Sequence, residues 1–170
     1  MSRKAQLEMV GIAIVVVLII IGATVFISLS LKPPSKAHAK FAQKEMAQNI
    51  VDTLVKASTN CKGLDFAAVL EECSKSGDAG SLICEDGRRP CMYAREEISG
   101  ILDKILGLRK LDYQFTAKTD IGSAFDDIET SGCTRELIDS GKVTVETPGI
   151  QPIPLYPGTL TLMLRICTPR

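Results

Sequence analysis

Tryptophan is absent, histidine occurs once, at His38, and aromatic residues make up only 5% of the 170 positions. Single-strand nucleic acid binders need stacking platforms, and this chain has too few rings to build them. An excess of one charge is missing too. Twenty basic residues face twenty acidic ones, so no basic field exists to hold phosphates, and no nucleic acid partner is expected. Zinc motifs bring ligand pairs two to four residues apart, whereas the closest cysteines, Cys84 and Cys91, are separated by six residues. A C-x-x-C redox pair is absent as well, and no metal is expected. There is no G-x-S-x-G, no H-E-x-x-H and no nucleophile beside a histidine motif, so the chain reads as neither an enzyme nor a cofactor binder. Acidic neighbours such as Glu71-Glu72, Glu96-Glu97 and Asp126-Asp127 diverge on a helix surface and read as solvated faces. Arg88-Arg89 could hold an anion, but a solvated pair beside a turn is the commoner meaning.

What the chain does have is a run of 23 residues, Met9 to Leu31, with no charge and no proline. As a helix it would reach about 35 Å, slightly more than the ~30 Å of hydrocarbon in a bilayer. It is expected to span the membrane once. The remaining residues offer no comparable apolar segment to cover such a helix inside a soluble fold, and have room for one small domain. Ala37-His38-Ala39 has the form of a signal-peptidase site. It lies well past the apolar run, however, and that run exceeds the 7 to 15 residues of a secretory h-region, so the span is expected to be retained.

Six cysteines, Cys61, Cys73, Cys84, Cys91, Cys133 and Cys167, all follow the span. In an oxidising compartment they make three disulfides that staple a modest core. Lysines 32, 36, 40 and 44 after the span outnumber Arg3 and Lys4 before it. Charge counting alone would leave the C-terminal part in the cytoplasm. The cysteines argue for the opposite side and are given more weight. The expected localisation is therefore the cell membrane, single-pass, with the C-terminal domain outside.

Residues 1–8 form a short cytoplasmic tail or signal, 9–31 the span, 32–59 a stalk helix broken by Pro33-Pro34, and 60–170 an extracytoplasmic head. Ser35 can cap a helix over Lys36 to Ser58, whose Ala47, Ile50, Val51, Leu54 and Val55 recur at helical spacing. A helix over Leu64 to Lys75 would place Phe66, Val69, Leu70 and Cys73 on one face. It would also separate Cys61 from Cys73 by about 15 Å, too far for a disulfide. After a loop over Ser76 to Arg89, Pro90 opens a helix to about Gly107 with Ile98, Ile101, Leu102 and Ile105 as its buried stripe.

The last third changes period. Leu111, Tyr113, Phe115 and Ala117 alternate with polar residues, predicting a strand with one buried face. Asp120 to Gly141 is polar and irregular. Val143 and Val145 mark a second strand, and the prolines at 148, 152, 154 and 157 are expected to prevent regular pairing until Gly158. Leu160, Leu162, Leu164 and Ile166 mark the last strand. The predicted fold class is α+β: an N-terminal transmembrane helix, then helices packed on a small antiparallel sheet of three or four strands, stapled by disulfides. Cys133 and Cys167 are natural partners. Cys61 and Cys73 then pair with Cys84 and Cys91 in one of two ways, which remain open.

The N-terminus MSRKAQLE sets a basic pair, Ala5, Gln6 and an acidic residue directly before the apolar run. This resembles the class III signal of archaeal type IV pilin-like proteins. The resemblance implies cleavage between Ala5 and Gln6 by a prepilin-type peptidase, with the apolar helix kept on the mature protein. It also implies contact with like subunits through the N-terminal helix, with Glu8 available to pair with a neighbour's terminal amine. Glu8 would stand third after the cut, whereas the family typically carries its glutamate fifth, where this chain has Val10. A membrane helix continued by an amphipathic helix and a disulfide-bearing sheet is also the pilin-like layout. The partners expected are the lipid bilayer, that peptidase and like subunits; the functional expectation is a pilin-like or minor-pilin-like structural subunit of the archaeal cell surface. The alternative is a non-assembling, signal-anchored ectodomain that binds a partner or ligand at the envelope.

Overall fold

A computed structural model of the chain describes residues 3–30, 36–145 and 147–169. The side chains of 3–10, 12, 13, 29, 30, 36–40, 78 and 169 fall outside that description. The chain divides into two compact units, Met1–Ala37 and His38–Arg170.

The first unit is built on α1, Arg3–Ser30. From Ile14 to Ser28 every side chain is exposed, on all sides of the helix, and Thr24 and Ser28 carry the hydroxyls of that stretch. Both hydroxyls turn back on the helix itself, Thr24 Oγ1 donating to the Ile20 and Ile21 carbonyls and Ser28 Oγ to the Thr24 carbonyl at 2.8 Å. Among the described residues no helix is long and apolar enough to cross a membrane. The expected span, Met9 to Leu31, overruns the described side chains at both ends, and Leu31, Pro33, Pro34 and Ser35 lie outside the described residues.

The second unit is α+β. Its helices are α2 (Lys36–Lys56, which begins in the first unit), α3 (Phe66–Ser76), α4 (Pro90–Gly107) and the single turn α5 (Arg135–Asp139). Its strands are β1 (Asp112–Thr119), β2 (Gly122–Ser123), β3 (Ile128–Glu129), β4 (Val143–Val145), β5 (Gly149–Leu155) and β6 (Gly158–Pro169). All six belong to one antiparallel sheet. β1 and β6 lie at its centre, in register from Asp112 opposite Cys167 to Thr119 opposite Leu160. β2 and β3 share the outer side of β1, and β4 and β5 share the outer side of β6.

One core fills the space between helices and sheet. Ala47, Val51 and Leu54 of α2 and Phe66, Val69 and Leu70 of α3 meet Ile98, Leu102 and Leu106 of α4 over Tyr113, Phe115, Ala117, Leu160, Leu162 and Leu164. α3 starts where the Asp65 carboxylate accepts from the Ala68 amide at 2.8 Å, and α4 starts on Pro90, whose missing N–H costs nothing in a first turn.

Five expectations about the fold need correction. The sheet has six strands where three or four were expected, because short strands between 120 and 155 join its edges. β1 is not buried on one face only, because Gln114 and Thr116 are buried as well. Gln114 Nε2 donates to Glu129 Oε1 at 2.6 Å and Gln114 Oε1 accepts from Arg165 Nη1 at 2.8 Å, so the polar row is satisfied across β3, β1 and β6 and can be covered. The stripe of α4 runs through Ile98, Leu102 and Leu106; Ile105 is exposed and Ile101 half-buried, one position off the core-facing line. The stretch from Asp120 to Gly141 contains β2, β3 and α5. The prolines do not prevent pairing before Gly158, since β5 runs beside β6 from Gly149 opposite Leu164 to Leu155 opposite Gly158.

The reason lies in parity. Ile150, Pro152 and Pro154 turn their backbone groups away from β6, and a proline at such a position of an edge strand removes no ladder hydrogen bond. Ile150, the member of that set with an N–H, is matched by Gln48 of α2. The Ile150 N–H donates to Gln48 Oε1 and Gln48 Nε2 donates to the Ile150 carbonyl, both at 3.0 Å. Gly149 makes this approach feasible, because a Cβ there would stand 2.5 Å from the Ala47 carbonyl carbon.

All six cysteines are bonded: Cys61–Cys84, Cys73–Cys91 and Cys133–Cys167, with Cα separations of 4.4, 4.8 and 5.5 Å. The first bond ties the loop before α4 to the segment before α3, the second joins α3 to the first turn of α4, and the third ties the segment before α5 to β6.

Candidate functional site

The conspicuous charge cluster of the head proves to be structural. The turn Cys84–Arg88 is closed by the Cys84 amide donating to the Arg88 carbonyl at 2.9 Å, and this aims the Arg88 guanidinium at the first turns of α4. There it meets Glu96 and Glu97, each at 2.7 Å, and Asp86, while lying 4.8 Å from the Tyr93 ring centroid. Hydrogen bonds from Arg88 hold the Asp86 carboxyl below its ordinary pKa, and those three carboxylates push the guanidinium up. Arg88 is therefore surrounded by three carboxylates, which disfavours an external anion, and Glu96-Glu97, rather than diverging, converge on one cation.

A polar hollow beside α4 is similarly committed. Glu96 is on Arg88, Asp127 on Arg135, and Glu129 on Gln114 and the Arg135 amide, while Asp103 accepts from the Tyr113 hydroxyl at 2.8 Å. Among the described residues no group of three or more histidine, cysteine or acidic side chains could hold a metal ion.

Besides a hollow of about 360 Å³ at Gly77, Met92, Arg95 and Asp126, two concavities remain among the described residues. An apolar groove of about 650 Å³ runs along α2 and α4, lined by Met46, Ile50, Ala57, Ile101 and Ile105 with Glu45 and Arg109 at its rim. The misassigned Ile105 and half-buried Ile101 belong to it. A smaller, more enclosed cavity of about 290 Å³ lies between the end of α3, the β1–β2 turn and the β5–β6 turn. Its borders carry Ile121 and Tyr156, 98% and 91% exposed.

No family model, no curated protein and no solved structure matches this chain.

Ala5, Gln6 and Glu8 have helical backbone within α1, and their side chains lie outside the described residues, as does that of His38. The six cysteines are brought together in pairs as given above. Sequence reasoning missed both concavities. The groove was hidden because Ile101 and Ile105 look like core residues. The small cavity was hidden because its walls come from segments near positions 75, 120 and 157, which only the fold brings together.

Proposed function

We propose that the chain is a single-pass membrane protein with an extracytoplasmic head, serving as a pilin-like or minor-pilin-like structural subunit at an archaeal cell surface. One juxtaposition carries this reading: a helix whose described side chains from 14 to 27 are exposed and, Thr24 aside, apolar, joined to a unit in which every cysteine is oxidised. An apolar helix surface without protein cover is stable in lipid, and three disulfides persist outside a reducing cytosol. The uncharged run Met9 to Leu31 has the length of a span. Ala5-Gln6 behind a basic pair fits the processing site of a prepilin-type peptidase, and the α2–α4 groove gives the head an apolar face for a like subunit.

Glu8 standing third rather than fifth after that site favours a second reading, a signal-anchored ectodomain that does not assemble. The N-terminus of protein recovered from native membranes separates the two. Beginning at Gln6 is the outcome expected of the pilin-like export route; beginning at Met1 or Ser2 supports the plain anchor and sinks the first reading. Recovery as a soluble cytosolic species with six free thiols would sink both.

A further inference from the structure

We propose that the cavity between the β1–β2 and β5–β6 turns binds a neutral sugar ring. Tyr156 and Ile121, more than nine-tenths exposed, give its border an aromatic face and an aliphatic edge in water. Its polar lining offers acceptors and, in the Lys75 ammonium and the Tyr156 and Thr159 hydroxyls, donors as well. The Ser74 hydroxyl donates inward to the Leu70 carbonyl at 2.7 Å and the Thr119 hydroxyl to the Gly122 carbonyl at 3.0 Å, which leaves the lone pairs of both oxygens for a ligand. The Asp120 carboxylate adds further acceptors. It is positioned by the Thr159 amide, which donates to Oδ2 at 3.2 Å, and by Gly158, where a Cβ would come within 2.6 Å of that same oxygen.

A ligand for this lining must both donate and accept hydrogen bonds and carry an apolar face, and a sugar ring does so, with hydroxyls at its edge and C–H groups on its face to lie against Tyr156. Lys75 narrows the choice. Its ammonium, paired with Glu71 at 2.6 Å, disfavours an organic cation, while the Asp120 carboxylate in the same lining disfavours an anion. The volume of about 290 Å³ suits a single ring.

The full chain, kept in a sugar-free zwitterionic detergent, is tested by saturation-transfer NMR against glucose, galactose, mannose, N-acetylglucosamine, glucuronate and glucosamine. The expected result is transfer to one face of at least one neutral sugar, with glucuronate and protonated glucosamine at least about tenfold weaker. Tyr156→Ala should weaken that binding about tenfold. Asp120→Asn should weaken it as well, and both variants should keep the three disulfides and the wild-type circular dichroism. Absence of transfer to every neutral sugar overturns the proposal. So does equal binding by Tyr156→Ala, or preference for the charged sugars. None of these outcomes depends on whether α1 spans a membrane or the chain assembles.

Discussion

At the scale of single residues, the head is held by polar groups that spend their capacity on one another. Tyr113 is the clearest case. Its ring is buried in the core while its hydroxyl reaches Asp103 on α4, so burial first, and then the donated hydrogen bond and the Asp103 charge, raise its pKa well above the ordinary phenolic value. A group whose folded pKa is raised contributes stability that is complete below its unfolded pKa. For tyrosine that value is about 10, and the contribution is lost as pH climbs beyond it. Denaturant unfolding followed from pH 7 to 11 should show stability falling above about pH 10. Tyr113→Phe should start about 1 to 2 kcal/mol lower at pH 7 and lose that part of the alkaline decline, because it gives up the bond to Asp103 but has no proton to release. An unchanged alkaline slope in the variant would assign the decline to other groups.

At the scale of elements, β5 shows how an exposed sheet edge is closed without another strand. Pro152 and Pro154 remove two outward donors, and the Gln48 amide takes the third along with its carbonyl. Edge strands left open are templates for other chains. Gln48→Ala should therefore speed hydrogen exchange at the Ile150 amide and increase aggregation on warming, at a stability loss of about 0.5 to 1.5 kcal/mol. Gly149→Ala should cost about 1 to 3 kcal/mol, read in the same denaturant experiment, because its Cβ would press on rigid α2 backbone. If Ile150 exchanges no faster in Gln48→Ala, the side chain is not what protects that edge.

The elements also show where sequence reasoning works. α4 was legible from Pro90 to Gly107 because proline marks its first turn and an apolar stripe its length. The four buried positions of α3 followed from spacing alone. β5 was not legible, because proline bars a central strand and not an edge strand, and only the assembled sheet decides which this is. The second buried face of β1 was hidden for a related reason: Gln114 resembles a solvent-facing residue until Glu129 and Arg165 arrive from strands far away in sequence. The small cavity shares this fate, since no local periodicity signals a meeting of a helix end with two turns.

At the scale of the whole molecule, the three disulfides supplement a core formed by a single layer of helices on a single sheet. Cys133–Cys167 spans 34 residues and closes the largest of the three loops. Replacing both of its cysteines by serine should cost about 3 kcal/mol in denaturant unfolding of the oxidised protein. The intact mass of the wild type should rise on reduction by six hydrogens. A native mass that does not change on reduction would mean that the thiols are free.

β6 is the common neighbour of β1, β4 and β5, and it occupies residues 158–169. A ribosome delivers the other three strands first, so each waits without its main hydrogen-bonding partner until that segment has been made. The bond between Cys133 and Cys167 can then close only after every other strand of the sheet has been synthesised.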